Sequence, residues 1–349
     1  MSGGVDSSVA AALLKEQGYD VVGLMLQLWS DGDSGRANRC CTPADVDAAR
    51  AIANQLAIPF YLINIADTFK ATVVDYFIDE YAAGRTPNPC LICNRRIRYE
   101  LLLNKALSLG AQFLATGHYA RVREVDGQYQ LLRGVDSQKD QSYVLSVLGQ
   151  KELAHALWPL GEMTKPQVRE LAQKFNLCVA EKVESQDLCF LANGDYRDFL
   201  TRHAPGGSIR PGEIRDTTGK VLGEHHGLPF YTIGQRKGIG LAASEPLYVI
   251  ALDTTDNAVV VGAKHELGRR ECRARNMHYV SGIQPIGPFR AGAKIRYKAR
   301  EAAVTVQPHG AQAHVEFDEP QRDITPGQGL VLFDGEQVIG QGFIEWEVT

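Results

Sequence analysis

The apolar positions Val9, Leu13 and Leu14 share one face of a 3.6-residue repeat, so 7–17 predicts a helix that Ser7 or Ser8 caps and Gly18 ends. Residues 21–29 are mostly apolar over the length of a buried strand. Thr42 and Asp45 have capping-box spacing and Pro43 stands at the first helical position, which predicts a second helix to about Leu56. Strand character returns over 60–65. Helices over 68–83 and 94–109 stop at Gly84 and Gly110, and a short apolar strand at 113–115 runs into Thr116, Gly117 and His118. Alternating strands and helices predict an α/β fold with a parallel sheet covered on both faces, whose ligand sites lie off the carboxyl ends of the strands.

Beyond Asn193 the pattern changes. Pro205-Gly206-Gly207, Pro211-Gly212 and Thr217-Thr218-Gly219 punctuate short β-type segments, the mark of a small intervening domain. From Leu267 onward, β-type runs at 294–297, 302–306, 313–317, 329–333 and 342–346 predict a barrel or sandwich. The expected organisation is therefore three units: 1–193, 194–266 and 267–349.

With 349 residues and 44% hydrophobic content the chain can bury more than one core, which excludes a disordered protein or a lone small module. The net charge of -4 carries no global nucleic-acid signature, so any polyanion must meet a local patch. No apolar run is long enough to span a bilayer and no signal segment opens the chain, which predicts a cytoplasmic protein. Seven cysteines, an odd number in a long chain, point to thiol chemistry, metal ligation or packing before a disulfide framework.

Ser2-Gly3-Gly4-Val5-Asp6-Ser7-Ser8 directly precedes a helix, so its amides and the positive end of the helix dipole face an anion. No Lys follows the glycines as in a Walker loop, and adjacent glycines exclude the dinucleotide fingerprint. The segment resembles the pyrophosphate loop of the ATP pyrophosphatases, which implies ATP and adenylation chemistry. In that superfamily an apolar strand feeds the loop. Here the loop starts at the second residue, so either the start lies upstream or the sheet is expected to lack an edge.

Thr86-Pro87-Asn88-Pro89-Cys90-Leu91-Ile92-Cys93-Asn94 is a Pro-bracketed turn that delivers two thiols to a helix start, where the dipole is expected to lower a thiol pKa. Nucleophile and metal ligand are both open. Glu184-Ser185-Gln186-Asp187-Leu188-Cys189-Phe190 then brings a lone thiol just before the domain boundary. Zinc or an iron–sulfur centre would need more than Cys90 and Cys93; Cys40 and Cys41 could complete four thiolates, but adjacent cysteines seldom chelate one ion together, and metal is not favoured. Cys178, in an apolar stretch, is expected to be buried, and Cys272 is expected in an exposed basic loop.

These motifs, with Thr116-Gly117-His118-Tyr119, Leu132-Arg133-Gly134, Lys139-Asp140-Gln141-Ser142-Tyr143, Gly234-Gln235-Arg236-Lys237-Gly238, Arg296-Tyr297 and Pro326-Gly327-Gln328, resemble the tRNA 2-thiouridylase family along the whole chain. The resemblance implies an adenine nucleotide alpha hydrolase-like (PP-loop) catalytic domain, a small central α+β domain and a C-terminal, tRNA-binding β-barrel. It implies that Cys189 carries a persulfide received from a cysteine desulfurase or sulfur-relay protein and that Cys93 is the second catalytic thiol. ATP, with Mg²⁺ that Asp6 could help hold, would sit on Ser2, Gly3, Gly4, Val5, Asp6, Ser7, Leu26 and Gly117. The tRNA, a Glu, Gln or Lys acceptor, would meet Asn88, Pro89, Cys90, His118, Lys139, Asp140, Gln141, Arg296, Tyr297 and Gln328. Many relatives carry Asp where this chain has Cys90.

Between 269 and 300 nine Arg and Lys residues face only Glu271, a local charge of +8 that is either a solvated barrel face or an RNA surface. Arg95, Arg96 and Arg98 add a second basic cluster beside Cys93. Two other classes compete: another adenylating enzyme, such as a 4-thiouridine synthetase or an amidotransferase-type synthetase, which needs no paired thiols, and a non-catalytic RNA-binding protein, which leaves the phosphate loop idle.

Overall fold

A computed structural model of the chain describes residues 1–31, 42–182, 188–191 and 195–346. The first helix, α1, spans Val5–Glu16, earlier than its apolar stripe suggests, because Gly4 is its N-cap. Ser7 and Ser8 therefore do not cap it; their hydroxyls donate back to the Gly4 carbonyl at 3.2 and 2.7 Å. β1 (Gly23–Gln27) pairs in parallel with β2 (Phe60–Asn64), and between them α2 (Pro43–Gln55) starts on the expected capping box of Thr42 and Asp45. β3 (Leu114–Ala115) pairs in parallel with β6 (Ala156–Leu157).

Among the described residues the two parallel pairs are not hydrogen-bonded to each other, yet Leu114 and Ala156 lie in the same core that Leu24, Leu26 and Ile63 pack against. The expected break in the sheet thus falls inside the layer and not at an edge. On β1, Gly23 donates to the β2 side through Pro59, while the Leu24 carbonyl accepts from the Met1 ammonium on the opposite side. Strand alternation turns the backbone of Leu26 to that same side, toward the loop that follows Met1.

Helix 68–83 is realised as Ala66–Phe69, Lys70–Val74 and Asp75–Ala82, with a π-wound middle. The helix expected at 94–109 begins earlier, with Pro89 in its first turn, and runs as Pro89–Ile92, Cys93–Leu102 and Leu103–Ser108. Its ten-residue middle segment is also wound as π, and the pattern of apolar positions gave no sign of it.

Two strands that follow β3, β4 (Ala120–Val125) and β5 (Gln128–Arg133), form a hairpin the sequence reading did not anticipate. β7 (Gly212–Asp216), β8 (Val221–His225), β9 (Tyr248–Asp253) and β10 (Ala258–Gly262) make a separate sheet in the order β8-β7-β10-β9, with β7 and β10 parallel. The remaining six strands are β11 (Arg269–Tyr279), β12 (Phe289–Lys294), β13 (Ala302–His309), β14 (Gln312–Gln321), β15 (Gly329–Asp334) and β16 (Gln337–Glu345). They run in the order β11-β14-β13-β12-β15-β16 and close on themselves through β11 and β16, which makes a barrel without free edges. β12 precedes the predicted 294–297, and β11 occupies what read as a basic loop. Cys272, on β11, is buried in the barrel core, whereas Cys178 is exposed, so the expectations for these two thiols are reversed.

The hairpin joins the barrel at Leu132 opposite Gln337. Leu91, Leu131, Tyr143 and Leu145 from the first unit and Val331, Phe333, Val338 and Phe343 from the barrel form one continuous core. That shared core sets the first unit against the barrel. Leu131→Ala, at a fully buried hairpin position, is expected to cost about 2–5 kcal/mol and to lower the urea midpoint of both units together. Separate transitions with an unchanged barrel midpoint would contradict the shared core.

Candidate active site

At the amino end, Gly3 adopts φ +66°, and a Cβ there would lie 2.5 Å from the Asp45 carbonyl, so only glycine lets the loop pass this close to α2. No side chain caps α1, which leaves the first-turn amides to an outside acceptor. Gly117, after β3, packs against the same turn: a Cβ on it would meet the Asp6 backbone at 2.7 Å and the Ser7 nitrogen at 2.8 Å. The structure therefore brings Ser2 to Ser7 and Gly117 together, with the backbone of Leu26 on the same side of β1.

Two lysines that the sequence reading missed flank this loop. Lys165, buried, donates to Asp6 Oδ1 at 2.6 Å, and the Tyr119 hydroxyl reaches the same oxygen at 2.8 Å. Lys182 donates to the Gly3 carbonyl at 2.8 Å and to Asp45 Oδ1 at 2.5 Å. Burial works against the Asp45 carboxylate, but hydrogen bonds from Lys182 and Thr42 outweigh it and hold its pKa below the ordinary carboxylate value. A signal for Lys165 was present in the sequence: a cation in the first turn of a helix opposes the macrodipole, so it serves something other than that helix. Asp6, already engaged by Lys165 and Tyr119, gives its carboxylate a structural use besides any metal.

Cys93 opens the π-wound segment. Five residues cover about 1.4 turns of an α-helix and would leave Cys93 and Arg98 on different faces; the i→i+5 winding stacks them. Arg98 donates a hydrogen bond to the Cys93 sulfur, and its guanidinium also lies within electrostatic reach of Cys90 and Cys189. Cys93 and Cys189 pack against the same cluster of Phe69, Phe77, Ile97, Phe190 and Phe199. One cation and one apolar wall are thus common to the two distant thiol motifs.

Burial raises Cys93 above the ordinary thiol pKa, with Arg98 offsetting part of the effect. Cys90 is exposed at the surface, yet desolvation by the protein around its sulfur pushes the thiol up to about 11. The lowered thiol pKa expected from the helix start is therefore overturned, because desolvation outweighs the dipole.

Arg98 Nη1 donates to His118 Nε2 at 3.0 Å. A guanidinium only donates, so Nε2 is the unprotonated nitrogen, and Nδ1 donates to Thr116 Oγ1 at 2.7 Å. Burial, reinforced by Arg98, drives His118 well below the usual imidazole pKa and keeps the ring neutral. Thr116 in turn bonds the Tyr99 hydroxyl, which also accepts from Trp158 Nε1 at 2.6 Å. His118 is 6% exposed and stands behind the thiols as the support of Arg98.

A family model described as tRNA methyl transferase HUP domain matches residues 1–193, one described as tRNA methyl transferase PRC-barrel domain matches 197–263, and one described as aminomethyltransferase beta-barrel domain matches 269–344. The chain is 52% identical to the tRNA-specific 2-thiouridylase MnmA of Moorella thermoacetica, over 99% of this chain and 98% of that protein. It is 48% identical to the protein of that name from Heliobacterium modesticaldum, over 99% and 91%, and 45% identical to that of Clostridium perfringens, over 99% and 97%. The chain belongs to the tRNA-specific 2-thiouridylase family. Among solved structures, an NMN synthetase from Francisella tularensis matches with a TM-score of 0.34 and 19% identity, over 59% of this chain and 77% of that one, a likeness too slight to build on.

The residues that the thiouridylase resemblance implied for tRNA fall into two groups. Beside Cys90, Gln328 Nε2 donates to the carbonyls of Thr86 and Pro87 at 2.9 and 3.1 Å, Asn88 bonds Tyr143, and Tyr143 donates to the Gly329 carbonyl at 2.9 Å. Pro89, buried, starts the helix. Tyr297 lies 5.9 Å from the Tyr143 ring, and burial pushes its hydroxyl up to about 12. The second group is built into the scaffold: Asp140 is buried and accepts from the Gly134 and Ser142 amides, Gln141 accepts from the Tyr119 amide, and Arg296 donates to the Ile233 carbonyl and Thr325. Lys139 follows Asp136 in the same loop.

The basic run at 269–300 does not form one continuous cationic face. Arg290 pairs with Asp318 at 2.5 Å, Arg275 reaches Glu80 at 3.5 Å, and Arg269 stacks over Trp346 at 3.9 Å. Among the described residues no group of three or more His, Cys, Asp and Glu converges as a metal site; Cys40 and Cys41, offered as completing ligands, and the run from Glu184 to Asp187 lie outside them. Among the described residues no helix is long and apolar enough to cross a membrane.

Gly3→Ala forces a left-handed residue and a backbone clash, so ATP turnover is expected to fall at least tenfold with a lowered melting temperature; unchanged turnover would show that the loop does not hold the nucleotide. The pH dependence of thiol labelling gives a second check. Alkylation of Cys90, followed by peptide mapping, should still be rising at pH 10, since its thiolate forms near 11. A plateau below pH 9 would contradict that burial effect.

Proposed function

We propose that this protein catalyses the ATP-dependent 2-thiolation of the wobble uridine of tRNA, with adenylation at the amino-terminal loop and sulfur transfer at Cys93 and Cys189. The observation that carries the reading is the shared placement of those two thiols on one apolar wall and beside one guanidinium.

The C2 oxygen of uridine attacks the α-phosphorus of ATP and pyrophosphate leaves, the N3 proton being lost to solvent. The open amides of α1, with Lys165 and Lys182 beside them, suit the charge of the departing pyrophosphate. Mg²⁺ would accompany the nucleotide through its phosphates, which needs no cage of protein carboxylates.

Cys189 enters as a persulfide delivered by a cysteine desulfurase or relay protein. Its terminal sulfur attacks C2, the C2–O bond breaks, and AMP leaves. The Cys93 thiolate then attacks the Cys189 sulfur, the S–S bond to the base breaks, and 2-thiouridine departs while a Cys93–Cys189 disulfide forms. A thiol reductant supplies two electrons to restore both cysteines. In the other course, Cys93 attacks Cys189 first and the hydrosulfide so released attacks C2.

The target base is brought to Cys90 by Asn88 and Pro89, the tRNA being held by Lys139, Tyr297 and Gln328, while His118, Asp140, Gln141 and Arg296 act from behind by fixing Arg98 and the loops. The gathering of Asn88, Tyr143, Tyr297 and Gln328 around Cys90 supports this placement. Where relatives have Asp, Cys90 stays protonated at neutral pH and is a contact to the base, not a base catalyst. Glu, Gln and Lys tRNAs are the proposed acceptors, and the cytoplasm, where they are found, the proposed location.

Cys189→Ser and Cys93→Ser should each abolish 2-thiouridine in digested tRNA, read by mass spectrometry, while Cys189→Ser still releases AMP from ATP when tRNA is present. Full thiolation by either variant would sink the assignment, and tRNA-independent AMP release would favour a different adenylating enzyme.

A further inference from the structure

Resting on that thiolation reading, we propose that Arg98 is the anion-holding residue of the sulfur-transfer site, its guanidinium receiving in turn the Cys93 thiolate and the terminal sulfur anion of a Cys189 persulfide. Arg98 forms no ion pair with a carboxylate among the described residues; its bonded partners are the Cys93 sulfur and the neutral His118 ring. A half-buried guanidinium with no carboxylate beside it among the described residues is stabilised by an anion that comes to it. The groups beside it that can become anions are Cys93, Cys189 and Cys90 and the Tyr99 hydroxyl; burial raises the Tyr99 pKa and its oxygen is tied to Thr116 and Trp158, which leaves the sulfurs. A soft, diffuse sulfur anion is the ligand class this pocket takes.

The rest of the neighbourhood is built to aim this cation. His118 takes one Arg98 nitrogen on its lone pair and passes its own proton to Thr116, and Thr116 is tied to Tyr99 and Trp158 in the core. The chain of donors runs in one direction only, because it starts at a group that cannot accept. The π winding supplies the remaining condition by stacking Arg98 on Cys93. No bond is made or broken by Arg98; it lowers the energy of the sulfur anions that attack and leave.

Among the described residues the charged and titratable groups around Cys93 and Arg98 are Cys90 and Tyr99 on the same helix, Cys189 across the apolar wall and His118 behind Arg98. The test uses the full chain and peptide-mapped alkylation by iodoacetamide, with exposed Cys178 as the internal reference. Arg98→Gln should slow Cys93 labelling at pH 8 about tenfold relative to Cys178, as loss of an adjacent opposite charge moves a pKa by about one unit or more. Arg98→Lys, which keeps the charge, should stay within about threefold of wild type on the same scale. Unchanged labelling in Arg98→Gln, or equal slowing in both variants, overturns the proposal.

A second measurement needs no variant. In wild-type protein, the rate ratio of anionic iodoacetate to neutral iodoacetamide should be higher at Cys93 than at Cys178, since a fixed cation draws the anionic reagent. Equal ratios overturn the proposal even if Arg98→Gln fails to fold. Neither experiment uses ATP or tRNA, so failure here is separate from failure of the thiolation reading, which the 2-thiouridine content of wild-type product decides.

Discussion

The helix that carries Cys90, Cys93 and Arg98 is clamped from two sides, and the rest of the site depends on that clamp. Leu91 on one of its faces is fully buried in the core shared with barrel residues Val331 and Phe333, while Ile97 is buried in the aromatic cluster that also receives Cys189. Burial of apolar side chains on both faces, at about 25 cal/mol per Å² removed from water, holds the helix at a fixed depth and rotation. The thiols then stand at the boundary between the two cores.

The barrel takes part in positioning the thiols. Its turn at Gly327, with φ +88°, comes so close to Thr86 that a Cβ would lie 2.9 Å from the Thr86 carbonyl, and Gln328 ties the same turn to the carbonyls of Thr86 and Pro87. Tyr143 bridges from the first unit to Gly329. The segment leading into Cys90 is thus positioned by a domain more than two hundred residues away.

Charge is handled differently at the two ends of the site. At the phosphate loop, cations and anions are paired before any ligand arrives: Lys165 with Asp6, Lys182 with Asp45. Around Cys93, among the described residues, the guanidinium is faced by thiols, the Tyr99 hydroxyl and a neutral ring. A prepaired loop can exchange a carboxylate for a phosphate without exposing a bare charge, whereas an unneutralised cation favours formation of an anion in place.

Much of this was legible in the sequence, because local rules act over a few residues. The capping box at Thr42 and Asp45, the stop at Gly18, the glycines of the first loop and the β-type runs of the barrel each follow from backbone sterics or hydrogen-bond satisfaction within one turn or strand. The motifs also named the thiols and the family. Three decisions belonged to tertiary structure alone. The π winding that stacks Arg98 on Cys93 is invisible to a periodicity reading, since it is set by what the two flanking cores require of the helix. The rise in the thiol pKa values reverses the dipole argument because desolvation is a property of everything packed around the sulfur, drawn from distant segments. The scattering of the 269–300 arginines among Asp318, Glu80 and Trp346 likewise depends on which strands lie opposite one another, and a linear count of charge carries no information about that.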